Sequence, residues 1–296
     1  MKILITGING FIGRRLGRCL ASKHDVFGVT RSALPQTLSF ITGVKLISAD
    51  LSDPRFIDQL PSDIDCVIHL AQSQQYRNFP EGADDMRRIN IDATCHLLDW
   101  ARKTVVKQFI FSSTANVYGR STAQLTESDA TIPESFYGAT KLAAEHLVRQ
   151  YQEFYQVDIL RLFTVYGPGQ KGMLIPNIAD RIEQGLPVTL AQGVGLYLTP
   201  IYVDDVVSII EKLIEKSEKG SCRLFNVCGD EVTDLGAIVR ILEKKLNNKA
   251  CLHLPDEIGK HFSGNNEALR VCLSVPKMTD VETGISHTFS AATKPN

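Results

Sequence analysis

The stretch Lys2–Gly13 reads KILITGINGFIG and decides the fold. Its apolar start is typical of a buried strand, and the apolar spacing of Phe11–Ser22 predicts a helix directly after it. Gly7 permits a tight turn, Gly10 lets the backbone approach a pyrophosphate, and Gly13 lets the helix pack closely on the strand. The helix N-terminus offers free N–H groups to phosphates. The stretch therefore predicts a turn that binds a dinucleotide.

The sequence after this turn alternates between short apolar runs and helical patterns. Apolar runs typical of strands recur at Val26–Thr30, Lys45–Ser48, Asp65–Leu70, Gln108–Ser112 and Asp158–Phe163. Two long helical patterns lie between the later runs, at Asp84–Lys103 and Phe136–Tyr155. Strands that alternate with helices form a parallel sheet covered by helices on both faces. The sequence therefore predicts a doubly wound α/β fold, a dinucleotide-binding Rossmann domain, over residues 1–166.

The composition changes at about Gly167, where glycine and proline become frequent. Helices are predicted beyond this point at Ile175–Gln184, Asp204–Lys216 and Thr233–Leu246, and strands at Val188–Leu190 and Arg223–Val227. No element is assigned after Pro255. We interpret residues 167–296 as a smaller substrate-binding lobe, some of whose segments return to the main sheet.

Composition and charge exclude several classes of partner. The chain has 296 residues, of which 44% are hydrophobic and 22% charged, and its formal net charge is −1. That balance gives no electrostatic attraction for nucleic acid or an anionic membrane, so neither partner is expected. The seven cysteines lack the spacing of a metal site, which predicts reduced thiols and no metal. With no secretory leader or long apolar run, we expect a cytoplasmic protein.

The choice between NAD and NADP depends on the end of the second predicted strand. NAD is often held by an acidic residue at that point, through the 2′-hydroxyl of its ribose. Here the strand ends in Arg31 and Ser32, without an acid. A guanidinium pairs well with a 2′-phosphate, so the sequence favours NADP slightly over NAD. Asp50 and Leu51, after the third strand, are placed to contact the adenine.

A second group of residues can carry acid–base chemistry. Tyr137 and Lys141 are four residues apart and share one face of a predicted helix. An ammonium held close to a phenol lowers its pKa from about 10, so Tyr137 can exchange a proton with a carbinol oxygen. Ser112, Ser113 and Thr114 follow the fifth strand and supply hydroxyls that can hold the substrate oxygen.

These motifs together resemble a known family. The chain is similar to the extended short-chain dehydrogenases/reductases of the NAD-dependent epimerase/dehydratase family, which act on nucleotide sugars. The similar segments occur in the family's order and cover roughly residues 1–230: TGINGFIG (6–13), DL (50–51), HLA (69–71), FIFSSTANVYG (109–119), YGATK (137–141), LRLFTVYGPGQ (160–170) and IYVDDVV (201–207).

The resemblance assigns roles to particular residues. It implies that Tyr137 and Lys141 are catalytic and that Thr114 supplies the hydroxyl, with its neighbour Ser113 as the alternative. It also implies cofactor contacts at Gly7, Gly10, Phe11, Ile12, Gly13, Asp50, Leu51, Leu70, Ala71, Ser112, Tyr137, Lys141 and Phe163. We add Gln72 to this set, although a small residue is frequent there. Asn90 matches a family asparagine with a structural or cofactor-side role.

Some positions depart from the family's pattern. Ala115 and Asn116 stand where the sugar-nucleotide 4,6-dehydratases have an Asp-Glu pair, and neither can act as a general acid. Leu198 begins the segment where the family has Arg-Asp-aromatic, so the cation that reaches a substrate phosphate is missing. Arg270 is a candidate substitute. The first departure argues against a dehydratase, and the second leaves the substrate class open.

The sequence favours a nucleotide-sugar enzyme that moves a hydride reversibly at a ring carbon. An epimerase would oxidise the carbon and reduce its other face, whereas a 4-keto reductase would deliver one hydride from NADPH. A reductase of a non-nucleotide carbonyl compound is the alternative enzyme, and a non-catalytic dinucleotide-binding protein the alternative from another class. The resemblance also implies a homodimer formed through the two long helices.

Overall fold

The computed structural model describes residues 1–31, 42–119, 121–217, 220–256 and 261–290. The chain divides into two compact units. The first consists of Met1–Gly119, Ala130–Arg161 and Val207–Phe225, and the second of Arg120–Asp129, Leu162–Val206 and Asn226–Asn296. The division of the chain into functional domains at residue 166 stays a prediction.

The described elements follow one another in this order along the chain. The strands are β1 (Lys2–Thr6), β2 (Asp25–Thr30), β3 (Val44–Ser48), β4 (Cys66–His69), β5 (Gln108–Thr114), β6 (Gln156–Leu162), β7 (Val165–Tyr166), β8 (Pro187–Thr189), β9 (Tyr197–Leu198), β10 (Ile201–Tyr202), β11 (Cys222–Val227), β12 (Thr233–Asp234), β13 (Cys251–His253) and β14 (His261–Phe262). The helices are α1 (Phe11–Ala21), α2 (Ala83–Arg87), α3 (Ala93–Lys103), α4 (Phe136–Gln150), α5 (Leu174–Glu183), α6 (Val203–Glu215), α7 (Leu235–Leu246), α8 (Glu267–Leu273) and α9 (Val281–Thr288).

A seven-stranded sheet runs through the first unit. Across the described residues its strand order is β3-β2-β1-β4-β5-β6-β11. The pairings of β3 with β2, β2 with β1, β1 with β4, and β4 with β5 are all parallel. The strands of β4 and β5 are buried along their whole length, as their apolar runs predict for a sheet covered on both faces. The predicted doubly wound fold is confirmed.

The predicted long helix at Asp84–Lys103 is interrupted. α2 and α3 are joined by a single π-helical turn, Arg88–Asp92, which inserts an extra residue into the helical path. Ile89 and Asn90 are the buried residues of this turn. A π turn of this kind is frequent at functional sites, because it re-aims one side chain without ending the helix.

α4 carries the predicted Tyr-Lys pair and has a well-defined start. Ser135 caps the helix, and its hydroxyl oxygen accepts a hydrogen bond from Gly138 N at 3.0 Å. The α-helix ends at Gln150, and a short 3₁₀ turn over Tyr151–Glu153 takes up part of the predicted remainder. Val148 and Ala144 on one face of α4 pack into the core that lies against the sheet.

The second unit has its own core and small sheets. Ile178 and Ile182 of α5 pack in one cluster with Ile238 and Leu242 of α7 and Ile285 of α9. The helices predicted after Gly167 are found as α5, α6 and α7, and the strands as β8 and β11, although most of α6 and of β11 belongs to the first unit. β11 lies at the edge of the central sheet, next to β6. α8 and α9 lie in the region that the sequence left unassigned.

Candidate active site

The glycines of the first turn lie where a side chain would not fit. Gly7 has φ +72°, and a Cβ on it would lie 2.8 Å from Ala71 N at the end of β4. A Cβ on Gly13 would collide with the carbonyl oxygen of Gly7, so this glycine lets α1 begin close against the turn. Gly10 N donates to Gly7 O at 2.8 Å, which closes the turn.

The N-terminus of α1 fits a phosphate. Its capping residue, Gly10, supplies no side-chain hydrogen bond, and the first turn of α1 holds no acidic residue. The N–H groups of Phe11 and Ile12 are therefore without the side-chain acceptor that usually caps a helix start. Asn9 Oδ1 is buried and has no hydrogen-bond partner among the described residues, so it can accept a donor from a ligand. These groups match the needs of a dinucleotide pyrophosphate.

A cleft of about 730 Å³ opens beside this turn within the first unit. That volume lies in the range of sites that hold a cofactor. Seven residues predicted to contact the cofactor line the cleft: Gly7, Gly10, Arg31, Leu51, Leu70, Ala71 and Gln72. The sequence did not single out the other lining residues: Asn9, Arg14, Val29, Thr30, Ala49, Ser73, Gln74, Tyr76, Asp85 and Ile89. Ser32, the second residue of the NADP prediction, lies outside the described residues.

Other predicted cofactor residues have different surroundings. The carboxylate of Asp50 accepts a hydrogen bond from Ser52 N at 2.9 Å, within its own loop. The Ser112 hydroxyl donates to the carbonyl of His69 at 3.0 Å and so ties β5 to β4. Phe163 belongs to the second unit, where its ring lies 5.9 Å from that of Phe262. The cofactor roles of Asp50, Ser112 and Phe163 stay predictions.

Tyr137 has polar neighbours from two other segments of the first unit. Its hydroxyl donates to Gln72 Oε1 at 2.6 Å. Burial raises the pKa of Tyr137 above its ordinary value, and the Thr114 side chain opposes this effect because it favours the phenolate. The ring of Tyr76 lies 5.5 Å from that of Tyr137 and closes the side of the site toward the chain after β4.

Lys141 is buried one turn further along α4. Its Nζ lies 4.2 Å from the centre of the Phe111 ring, a cation–π distance. Burial lowers the pKa of Lys141 to about 7, while the negative charge of Glu145 opposes this effect. The charged form of Lys141 that the sequence predicts is therefore only partly populated at neutral pH. The negative charge of Glu145 increases the population of this charged form.

The two candidate hydroxyls at the end of β5 have different partners. The Ser113 hydroxyl donates to the carboxylate of Glu145, which also accepts hydrogen bonds from Arg161 Nη2 at 2.8 Å and Nε at 3.1 Å. Arg161 Nη1 in turn donates to the Tyr118 hydroxyl at 2.8 Å. Ser113 is thus held in a buried ionic network, whereas Thr114 favours the phenolate of Tyr137 and so lowers the pKa of that residue. The geometry favours Thr114 as the hydroxyl that meets the substrate.

Asn90 connects two parts of the site. Its Oδ1 accepts from Ser73 N at 2.9 Å, and its Nδ2 donates to Thr140 Oγ1 at 3.0 Å. The Thr140 hydroxyl donates to the carbonyl of Tyr137 at 2.8 Å. Of the two roles offered by the sequence, these contacts support the structural one.

His69 is fully buried at the end of β4 and serves packing. Its Nδ1 is hydrogen-bonded to Thr6 Oγ1 at 2.6 Å and its Nε2 to Thr94 Oγ1 at 3.0 Å. Burial and the charge of Lys141 lower the pKa of His69 to about 3, so the ring is neutral. Both nitrogens have partners, and neither is available for proton transfer to a substrate.

Sequence reasoning missed three residues that shape the site. Glu145 lies two turns of α4 beyond Tyr137, so the same helical spacing that joins Tyr137 to Lys141 could have pointed to it. Tyr76 and Asn9 had no comparable signal, since an isolated tyrosine or asparagine in a loop carries no periodicity. Asn9 Nδ2 donates to Thr30 Oγ1 at 2.6 Å and fixes the end of β2 against the glycine turn.

Within the described part of the chain, no group of three or more His, Cys, Asp or Glu side chains is placed to hold a metal ion. No helix there has the length and apolar character needed to cross a membrane.

Comparison with known proteins identifies the family. Residues 3–228 match the model of the NAD dependent epimerase/dehydratase family. A Bacillus subtilis protein named as the uncharacterized UDP-glucose epimerase YtcB is 29% identical, over 87% of this chain and 86% of its own. The UDP-glucuronate 4-epimerase 1 of Arabidopsis thaliana is 28% identical, over 96% of this chain and 75% of its own.

Solved structures of epimerases are also similar to this chain. The UDP-glucuronic acid 4-epimerase from Bacillus cereus, in complex with UDP-glucuronic acid and NAD, is 26% identical with a TM-score of 0.85. That match covers 97% of this chain and 98% of the other. The chain belongs to the NAD-dependent epimerase/dehydratase family and is an enzyme of the short-chain dehydrogenase/reductase type.

Proposed function

We propose that this protein is a nucleotide-sugar 4-epimerase that keeps its dinucleotide throughout the reaction. The observation that carries the proposal is the arrangement around Tyr137, whose phenolate is favoured by Thr114 and which lies one helical turn from the buried Lys141. This acid–base group and the cleft beside the glycine turn belong to the same compact unit. Hydride transfer at a carbinol carbon needs both parts together.

Each residue of the group has a distinct task. A bound nicotinamide would accept and return the hydride and, when oxidised, would add a positive charge. Tyr137 takes the proton from the sugar hydroxyl and later returns it to the keto oxygen. Thr114 donates a hydrogen bond that favours the phenolate, and the charged form of Lys141 does the same through space. The hydroxyl of Thr114 then orients the sugar oxygen for the transfer.

Epimerisation is favoured over dehydration by the residues that follow Thr114. Elimination of water needs a general acid near the leaving hydroxyl. Ala115 has no polar side chain, and Asn116 Nδ2 donates to Thr114 Oγ1 at 3.0 Å. An amide that holds the orienting hydroxyl cannot protonate a leaving group, which supports reduction of the keto sugar over elimination of water.

The substrate class is proposed from the relatives. MoeE5 is similar to this chain, with 26% identity and a TM-score of 0.83, and its structure holds UDP-glucuronic acid and NAD. We therefore propose a UDP-sugar as the substrate. Arg270, the candidate phosphate anchor, donates to the carboxylate of Asp230 at 2.8 Å, so its charge is already partly balanced.

The cofactor is proposed to be NAD or NADP, and the two indications differ. MoeE5 and the Bacillus cereus epimerase are described with NAD. Arg31 lines the cleft of this chain, which keeps the prediction of NADP open. Mass spectrometry of the dinucleotide released from the unfolded, freshly purified protein distinguishes them. About one NAD per chain would support a retained cofactor and contradict the NADP prediction.

The same measurement tests the second candidate, a 4-keto reductase that uses NADPH. That enzyme binds its cofactor afresh in each turnover, so the purified protein would be empty. Titration with NADPH and NADH would then show tighter binding of NADPH. An empty protein that binds neither would contradict both enzyme proposals.

Replacement of Tyr137 tests the chemistry. We expect Tyr137→Phe to lose at least 100-fold in the rate of UDP-sugar epimerisation, because the proton acceptor is removed. Dinucleotide content should stay unchanged, and product formation is followed by NMR of the sugar. Tyr151→Phe, in the 3₁₀ turn that follows the same helix, is the matched control and should keep its activity. Full activity of Tyr137→Phe would contradict the proposed mechanism.

We also propose that the protein is a homodimer and that it is cytoplasmic. Leu147 and Tyr151, on the long helix predicted to form the contact, are only partly buried within one chain. Sedimentation of the purified protein checks the dimer. The cytoplasmic location is supported by seven cysteines that are all free thiols.

A further inference from the structure

Gln72 lies next to the Tyr137 hydroxyl, the proposed acid–base group of the first unit. Its Oε1 accepts the hydrogen bond from the Tyr137 hydroxyl at 2.6 Å, although the two residues are 65 positions apart. The side chain of Gln72 also lines the cleft that fits the dinucleotide. An exposed glutamine is not needed there for packing, so its contact with the phenol calls for a chemical explanation.

Hydrogen bonds fix the backbone next to Gln72 relative to Tyr137. Ser73 N donates to Asn90, Asn90 donates to Thr140, and Thr140 donates to the carbonyl of Tyr137. Ser73 and Asn90 are buried, and so is Thr140, so this connection is protected from water. The amide of Gln72 is therefore presented to the phenol by a rigid support, as preorganised sites require.

The two polar neighbours of the Tyr137 hydroxyl act in opposite directions. Thr114 favours the phenolate, as described above. Gln72 accepts through a carbonyl oxygen, and an acceptor stabilises the neutral phenol and repels the phenolate. The hydrogen bond to Gln72 therefore favours the protonated form of Tyr137.

Other titratable or charged groups surround this hydrogen bond. They come from α4, from the chain after β4 and from the adjoining turn and strand, and comprise Lys141, Glu145, Tyr76, Arg77, Asp85 and His69. A substitution at Gln72 changes the identity of none of these groups. A shift in the behaviour of Tyr137 that follows such a change can therefore be assigned to the amide.

We propose that Gln72 is a positioning residue for the acid–base step, which holds the Tyr137 hydroxyl protonated and in a fixed orientation until a substrate oxygen replaces the amide. The inference rests on the proposed function, since it concerns the same Tyr137. It adds a residue outside the Tyr-Lys-Thr group to the control of the proton.

Two substitutions at Gln72 should shift the pKa of Tyr137 in opposite directions. Gln72→Met keeps the length of the side chain and removes the acceptor, whereas Gln72→Glu keeps an acceptor and adds a negative charge. Oxidation of the sugar needs the phenolate, so its rate rises with pH through the pKa of Tyr137. We expect the acidic limb of this profile to move down by about half to one pH unit in Gln72→Met, the worth of one hydrogen bond. In Gln72→Glu the limb should move up.

Gln75→Met is the matched control, because Gln75 lies in the same exposed loop and its side chain contacts Asn78 instead of Tyr137. Its profile should coincide with that of the unchanged protein. A limb that stays in place in Gln72→Met, or that moves equally in Gln75→Met, would overturn the inference.

A second readout does not depend on turnover. Tyrosine labelled with ¹³C at Cζ gives an NMR signal for Tyr137, identified by its absence in Tyr137→Phe. At constant pH this signal should move in Gln72→Met and stay in place in Gln75→Met. An unmoved signal in Gln72→Met would contradict the role of Gln72. Absence of activity on every UDP-sugar, with the signal moved as expected, would contradict the proposed function alone.

Discussion

Val105 is the residue whose backbone conflicts most clearly with its side chain. It has φ 59° and is 79% exposed, directly after Thr104 at the C-terminus of α3. A β-branched residue is rarely found in this left-handed region, because its Cβ crowds the backbone. Glycine or asparagine is the usual choice after a helix. Because the Val105 side chain is exposed, no buried contact offsets this strain.

We expect Val105→Gly to raise the free energy of unfolding by about 1 kcal/mol, since glycine adopts this conformation without strain. Urea unfolding followed by circular dichroism measures the change. Val232, an exposed valine without a positive φ, provides the comparison, and Val232→Gly should lower stability. A loss of stability in Val105→Gly would show that the left-handed backbone conformation of Val105 does not destabilise the folded protein.

The sequence predicts some residues of the site better than others. The spacing of Tyr137 and Lys141 places them on one helix face, because helical periodicity is a local property. The choice between Ser113 and Thr114 could not be made from adjacent hydroxyls. It depends on Glu145, which lies on another element and takes the hydrogen bond of Ser113. The contact of Gln72 with Tyr137 has no local signal either, since sheet topology brings the two together.

At the scale of elements, a buried ion pair joins α4 to β6. Glu145 is 2% exposed and Arg161 5%, and their charged groups lie 2.8 Å apart. Removing one partner leaves the other charge buried without compensation. The pair also holds Ser113 at the end of β5, so the position of three elements depends on it.

Glu145→Gln should lower the free energy of unfolding by about 3–5 kcal/mol, because the guanidinium of Arg161 stays buried. The exposed pair of Asp99 and Lys103, 2.7 Å apart, is the matched control. Asp99→Asn should cost at most about 1 kcal/mol. Denaturant unfolding of both variants gives the two values, and equal losses would contradict the importance of burial.

The elements that the sequence missed share a physical reason. Helical periodicity predicts a continuous helix at Asp84–Lys103, and the π turn at Arg88–Asp92 escapes it because one inserted residue barely changes the apolar pattern. α8 has seven residues, too few for a clear period. α9 has eight, although the Asp280 side chain that caps it by accepting from Thr283 N could have marked its start.

For the whole molecule, the buried Lys141 makes stability depend on pH. Its pKa falls from 10.5 to about 7 in the folded protein. Between these values the unfolded chain keeps the proton that the folded protein has lost. The unfolded state then binds more protons, and stability due to this group rises as pH increases from about 7 to about 10.5.

Lys141→Met removes this contribution. We expect the stability of the unchanged protein, relative to the variant, to rise by at most about 1.4 kcal/mol per pH unit above neutral pH. Groups common to both proteins cancel in the difference, which is obtained from urea unfolding at a series of pH values. A difference that stays constant with pH would show that Lys141 keeps its proton when buried.

The last strand of the central sheet is synthesised long after its neighbour. β6 ends at Leu162 and β11 begins only at Cys222, about sixty residues later. At about 5–20 residues per second, a ribosome leaves β6 without its edge partner for roughly 3–12 seconds. During that interval Asp158 of β6 also lacks Arg223, with which it pairs in the finished protein. The nascent chain therefore carries an open strand edge, the kind of segment on which a chaperone acts during translation.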